Sequence, residues 1–399
     1  MKILHVTPLY EPAWKAGGVV RFTSLLCRGL AELGHDVTVF TTNSDGYGYL
    51  EVPVNVATDV GRVEVYYFHT NSPRFIRYSR QLRLACKEMI VKYDIVHITS
   101  FWNYPGLPAA KEAIKRNIPY VVSTSGTFVP TALNSKKIRK WIYLKLFDEK
   151  ILKNASAYRY TTPLERKKMK TFKIQKPSFL APSGLALKEF DNLPSQTEGR
   201  RMLGIEQDYF VVSFLGRLNW VKAIDVLMKG FKKIHRDFPK AMLVLAGPDG
   251  GEEKELRELA VKLNIVDKVI FLGPVNKDGR LKLFAASDLL ALVSWTESFG
   301  YAAVEAMAAG VPVLVSENVG ICDAVREDGA GLVVPVDEDA IANALSEMLS
   351  NPNRLKDMGK AAYKSARKRY DIKIVAKLMA TAYEDILTGR RSPECNWEG

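Results

Sequence analysis

Apolar residues arrive along this chain in short unbroken runs, separated by longer stretches whose apolar positions recur every third or fourth residue. Short runs without alternation read as strands buried on both faces, and the longer stretches as the helices that cover them. KILHVT predicts a first strand, residues 20–33 a helix stopped by Gly34, and residues 35–41 the next strand. Further strands are predicted at 63–68, 95–99, 120–123, 157–161 and 178–181, with helices at 77–89, 109–116 and 163–170. A strand–helix–strand order argues a parallel sheet.

The rhythm weakens over residues 186–207, which read as a linker. A second series follows. Strands are predicted at 209–215, 241–246, 269–272, 289–293, 313–315 and 332–334, and helices at 223–237, 252–263, 279–286, 299–309 and 338–350. Long helices close the chain at 354–370 and 372–387, before a tail, 389–399, expected to fray. The two halves share an architecture rather than a sequence. The expectation is two doubly wound α/β domains facing a cleft, 1–185 and 208–369.

A chain of 399 residues is long enough for two full cores. The start, MKILHVTPLYEP, meets Pro and Glu too soon for a signal peptide, and no apolar run approaches the roughly 20 residues of a membrane span. Cys27, Cys86, Cys322 and Cys395 show no metal or disulfide spacing, which fits a reducing cytoplasm. The net charge of +13 is concentrated: residues 134–176 hold 14 Lys/Arg against 3 Asp/Glu. Within them, 135–153 reads as a basic amphipathic helix. It suits an anionic membrane surface, an anionic substrate, or simply its own core with solvated lysines. No nucleic-acid motif or aromatic–basic repeat accompanies it, so nucleic acid is not expected.

The most informative stretch is SWTESFGYAAVEAMAAGVPVLVS. Glu297 and Glu305 bracket a helix start, and Ser298 is expected to cap a helix ending at Gly310. Eight residues at 1.5 Å place the carboxylates about 12 Å apart along the axis, a span suited to two parts of one elongated ligand. The helix N-terminus favours a phosphate, and Gly300 admits a ligand close to the backbone. The alanine-rich run makes the helix buried, where an unpartnered carboxylate is costly.

After the first strand of the second half comes GRLNWVK. Arg217 offers a planar fork and Lys222 a point charge, together enough to neutralise a diphosphate without a metal. In the first half, Gly17 and Gly18 follow the opening strand, either as a close approach to phosphate or as a flexible turn. No G-x-G-x-x-G follows either opening strand, which argues against a dehydrogenase. Asp337-Glu338-Asp339 has the D-x-D form of some metal-dependent sugar transferases, but it opens a helix and reads as a cap. No catalytic metal and no cofactor are expected. His97 ends its strand either as a ligand contact or as a hydrogen-bonded strand histidine.

Together these residues resemble the retaining glycosyltransferases of the GT-B fold, glycosyltransferase family 4, group 1. The second half carries the likeness in FLGRLNWVKAIDVLMKGF, VIFLGPV and the Glu pair, which has the family's E-x7-E spacing; PLYEPAWKAGGVVR, ELGHDVTVFTT, DIVHITS and PSG carry it in the first. The resemblance implies a nucleotide-sugar donor bound mainly to the second domain. Glu297 would meet the hexose hydroxyls, with Ser298 and the Phe299 and Gly300 amides nearby. Glu305 would hold the ribose, Arg217 and Lys222 the diphosphate, Gly18 would cap it, and the backbone at Val275 would border the base. A helix near 370–388 would cross back to the first domain. Where relatives carry His-Gly against the donor sugar, this chain has Ser125 and Gly126. Ala223 stands where Gly is common, and Ser183 where Asn is common. The implied activity is transfer of a hexose to a glycan or lipid-linked acceptor in polysaccharide or glycoconjugate assembly. The alternatives are a phosphorylase, a nucleotide-sugar epimerase, or a binding protein without turnover.

Overall fold

In the computed structural model of this chain, residues 1–14, 17–46, 48–99, 103–124, 149–170 and 176–398 are described. They form two compact units, Met1–Leu185 with Ile372–Gly399, and Ala186–Asp371. The predicted apolar runs become strands, the central ones buried along nearly their whole length. Lys2–Val6 is exposed only at its first residue, and Ala241–Ala246 is buried throughout.

The first unit contains β1 (Lys2–Val6), β2 (Asp36–Thr42), β3 (Ala57–Asp59), β4 (Glu64–Phe68), β5 (Ile95–Thr99), β6 (Tyr120–Ser123), β7 (Ala157–Tyr160) and β8 (Ser178–Leu180). Their order is β3-β4-β2-β1-β5-β6-β7-β8, parallel except for the β3–β4 pair. The β3 hairpin strand went unread in the sequence because ATD carries no apolar run. The second unit contains β9 (Phe210–Leu215), β10 (Ala241–Ala246), β11 (Val269–Gly273), β12 (Leu289–Leu292), β13 (Val313–Ser316) and β14 (Gly331–Val334), ordered β11-β10-β9-β12-β13-β14 and wholly parallel. Strand order therefore reverses beside β1 in one unit and beside β9 in the other. Doubly wound sheets bind their ligands outside the carboxyl ends at such a reversal.

Two expectations are corrected. Residues 186–207 are not a linker: they form the turn Leu187–Phe190 and the helix Gln196–Leu203 of the second unit. Leu187, Phe190 and Ile205 are buried, and Arg200 pairs with Asp288 at 2.6 Å, so few apolar anchors suffice. Gly199 lies so close to the helix Lys277–Ala286 that a Cβ would stand 2.8 Å from the Ala286 nitrogen. Nor does the tail fray. The Trp397 ring lies 5.0 Å from that of Phe179, and Glu398 exchanges backbone hydrogen bonds with Ser178 at 2.6 and 2.7 Å. Arg166 pairs with the Glu398 carboxylate at 2.7 Å. One aromatic and one ion pair hold a segment whose composition looked polar.

The helix Ile372–Thr388 belongs to the first unit. It packs on Gly18–Glu32 closely enough that a Cβ at Gly29 would stand 2.9 Å from the Ala376 methyl. Of the expected basic helix 135–153, residues 135–148 lie outside the described residues; Glu149–Asn154 is helical. Among the described residues, no helix is long and apolar enough to cross a membrane.

Candidate active site at the strand-order reversal of the second unit

Two loops leave the carboxyl ends of β9 and β12, which lie side by side with Leu289 opposite Val212. The first loop runs through Gly216 to the short turn Trp220–Lys222. Gly216 donates its N–H to the Ala246 carbonyl at 2.9 Å, and Leu218 donates to the Pro248 carbonyl at 2.9 Å. Those bonds set it against the glycine-rich loop after β10. Gly247, with φ of 142°, comes so near that a Cβ would sit 1.8 Å from the Gly216 oxygen, so no other residue fits there. A Cβ at Gly250 would likewise meet the Arg217 side chain at 2.8 Å. The glycine-rich loop after β10 thus forms a seat for Arg217, which is exposed and in no ion pair among the described residues. Nothing in the GRLNWVK reading pointed to that seat, because the supporting glycines come some thirty residues later.

The second loop carries Glu297, and here the expected helix start is corrected. The helix is Tyr301–Ala308, its N-cap is Gly300 at φ 104°, and no side chain caps it; Ser298 lies outside it. Residues before Gly300 are instead drawn into pairing with the loop after β13. Glu297 donates its N–H to the Asn318 carbonyl at 3.1 Å, and Gly320 donates to the Glu297 carbonyl at 2.9 Å. A Cβ at Gly300 would stand 2.8 Å from a Val319 methyl, so close packing and a left-handed backbone both demand glycine. Helical rise therefore does not set the spacing of the two carboxylates. Phe299 is buried, its ring 4.9 Å from Tyr301 and 5.6 Å from Tyr370. The helix stops as expected, with Gly310 at φ 78° just past it.

The Glu297 carboxylate accepts a hydrogen bond from the Lys222 ammonium, and both side chains are largely covered, at 19% and 17% exposure. The pair joins the two loops. Glu305 is buried on the helix and accepts from Arg280 at 2.7 Å. Neither pairing was legible beforehand, since each joins residues far apart in the chain. Val275 lies half-buried just before Asn276, whose side chain caps Lys277–Ala286 by accepting from the Gly279 N–H at 2.9 Å.

In the first unit, Gly17 has φ of 90° and precedes the helix Gly18–Glu32. His97 is buried completely and is no surface contact. Its Nδ1 lies 2.5 Å from the Tyr383 hydroxyl and its Nε2 2.7 Å from Ser123 Oγ, so the strand-histidine reading holds. Ser125 and Gly126 lie outside the described residues. Asp337 caps its helix, accepting from the N–H groups of Asp339 and Ala340, while Lys233 pairs with Glu338 and Asp339 at 2.9 and 2.6 Å. Among the described residues, no three His, Cys, Asp or Glu cluster as metal ligands.

The family model described as "Glycosyltransferase Family 4" matches residues 16–188, and that described as "Glycosyl transferases group 1" matches residues 195–365. An uncharacterized glycosyltransferase of Methanocaldococcus jannaschii is 29% identical over 96% of this chain and 98% of that protein. A D-inositol 3-phosphate glycosyltransferase of Kribbella flavida is 27% identical over 91% of this chain and 90% of its own length. Among solved structures, sucrose-phosphate synthase from Thermosynechococcus elongatus superposes with a TM-score of 0.78 at 22% identity, covering 97% of this chain and 99% of that one. Anabaena Alr3699/HepE, solved in complex with UDP-glucose, superposes with a TM-score of 0.73 at 18% identity, covering 96% and 100%. Two parallel doubly wound units, a carboxylate–lysine pair at the strand-order reversal and two family matches spanning both halves agree: the chain is a GT-B-fold glycosyltransferase of family 4, group 1.

Proposed function

We propose that the chain transfers a hexose from a nucleoside-diphosphate donor to a glycan or lipid-linked acceptor with retention of configuration, and without a catalytic metal. The observation that carries this reading is the Lys222–Glu297 pair, with the exposed Arg217 earlier on the same loop as Lys222. The lysine and the glutamate neutralise each other in this pair. A donor offers each a better partner: diphosphate oxygens for Lys222, sugar hydroxyls for Glu297. Arg217, on its glycine seat, supplies the second cation. In the reaction the bond from C1 to the phosphate oxygen breaks with oxocarbenium character, and the acceptor oxygen bonds to C1 from the same face. The acceptor proton passes to the departing diphosphate, whose charge Arg217 and Lys222 stabilise. The two cations do the work a metal does elsewhere, so chelation should leave the rate unchanged.

Composition alone supports the acceptor class: the basic segment 135–153 suits an anionic lipid surface, where a lipid-linked acceptor and a peripheral enzyme would meet. The test is a panel of nucleotide-sugars followed by unfolding temperature, then transfer assays with the product anomer read by NMR. A ligand at 100 times its dissociation constant stabilises by about 2.7 kcal/mol. An inverted product would overturn retention; phosphorolysis or epimerisation without acceptor would overturn transfer. Binding without any turnover would make the chain a binding protein.

A further inference from the structure

Arg280 was not singled out by any motif, yet it stands between two carboxylates of the second unit. It lies near the start of the helix Lys277–Ala286, just past Val275. Its guanidinium, 15% exposed, donates to Glu305 Oε1 at 2.7 Å and to Glu189 Oε2 at 3.3 Å. Lys277 Nζ lies 3.7 Å from Glu189 Oε1. Charges therefore alternate along Lys277, Glu189, Arg280 and Glu305, and end on a carboxylate side chain only 7% exposed.

A buried carboxylate left alone takes up a proton and loses half its acceptor capacity. Ionised, it accepts from two neighbouring hydroxyls at once. A guanidinium both preserves the charge and, through its planar fork, fixes the plane of the carboxylate. Stability does not require such a chain, because buried ion pairs exchange for apolar groups at little loss. Glu189, from the turn Leu187–Phe190, holds the guanidinium in its turn.

We propose that Arg280 is a positioning residue for nucleotide recognition: anchored by Glu189, it holds Glu305 ionised and aimed at the ribose, so that the second unit selects ribonucleotides over deoxyribonucleotides. This rests on the reading of Glu305 as the ribose-holding group. The experiment is calorimetric titration of the whole chain with UDP, GDP and their 2′-deoxy counterparts. The wild type should favour the ribose form of the bound nucleotide about tenfold or more. Arg280→Met should bring the ratio near one, Arg280→Lys should restore part of it, and Glu189→Gln should fall between. An unchanged ratio in Arg280→Met would overturn the proposal; should that variant not fold, an unchanged ratio in Glu189→Gln would do so. A wild type that binds UDP or GDP without regard to the 2′-hydroxyl would also sink it, while leaving nucleotide binding intact. Failure to bind any of the four would overturn the proposal for uracil and guanine nucleotides, while the nucleotide-sugar panel tests the proposed function separately.

Discussion

Lys222 and Glu297 lie 75 residues apart in the chain and share one hydrogen-bonded ion pair that ties the loop after β9 to the loop after β12. The two residues expected to touch different parts of a donor are each other's partner here. Each side of the pair can be tested alone.

Glu297→Gln keeps the shape and removes the charge. Turnover should fall by about 100-fold or more, the scale of losing one preorganised electrostatic contact in a transition state. Nucleoside-diphosphate affinity should hold or rise, because Lys222 no longer has an anionic competitor. Steady-state rates and titration separate the two effects; near wild-type turnover would remove Glu297 from the mechanism. Lys222→Met should weaken diphosphate binding and turnover together.

Ala223 follows that lysine with φ of 48°, in the left-handed region, and is fully buried. Alanine there costs about 1–2 kcal/mol. Glycine would relieve that, but it gives back about 0.4–1 kcal/mol through the freer unfolded chain and about 0.8 kcal/mol of lost methyl burial. Ala223→Gly should therefore move the urea midpoint very little, which explains how alanine is tolerated. Ala223→Val adds a β-branched side chain to the same conformation and should cost more than about 2 kcal/mol.

Burial holds His5 down to about 3 and His97 well below the usual imidazole range, with Arg159 adding to both and His5 to His97. Both rings are neutral in the folded chain. Below about pH 6.5 the unfolded chain takes up protons that the folded rings refuse. Stability is thus present above that pH and is lost as pH falls, by about 1.4 kcal/mol per unit for each ring. The loss from His5 continues to about pH 3. Urea unfolding at pH 6 and pH 5 should show His97→Gln with a shallower decline than wild type. Equal slopes would mean that His97 is not excluded from protonation by the fold.

Trp397→Ala tests whether the last residues are part of the first unit. With its ring against Phe179 and its neighbour Glu398 paired to Ser178 and Arg166, the loss should be about 1–3 kcal/mol. Limited proteolysis should then clip the C-terminus faster. A variant as stable as wild type would restore the picture of a frayed tail.

Liposome flotation checks the basic segment. Replacing Lys136, Lys137, Arg139 and Lys140 with Ser should reduce binding to anionic vesicles by up to about a thousand-fold, at about 1 kcal/mol per charge near the surface. Unchanged binding would leave the acceptor's membrane location without support.

Most strands were legible because a doubly wound sheet buries both faces, and an apolar run such as AMLVLA has few other uses. Glu305 was legible because a charge is rare on an alanine-rich helix, and Glu297 by its spacing from it. The helix start was not: Ser298 is a good capping residue, but the chain before Gly300 is held extended by Asn318 and Gly320, partners invisible from a local window. The stretch 186–207 hides its structure for a related reason. Its few apolar residues look sparse in sequence, yet Gly199 and Arg200 complete a close helix contact.

The sequence alone determined the alternation of strands and helices, the placing of cations and carboxylates at strand ends, and the family. Those are local patterns, repeated every few residues. Tertiary structure decided which charges meet. Arg280 reaches Glu305 across 25 residues, Lys222 reaches Glu297 across 75, and His97 reaches Tyr383 across 286. Local periodicity sets which face of an element is buried, but strand order sets which elements adjoin. Only when β9 and β12 lie side by side do Lys222 and Glu297 become one site.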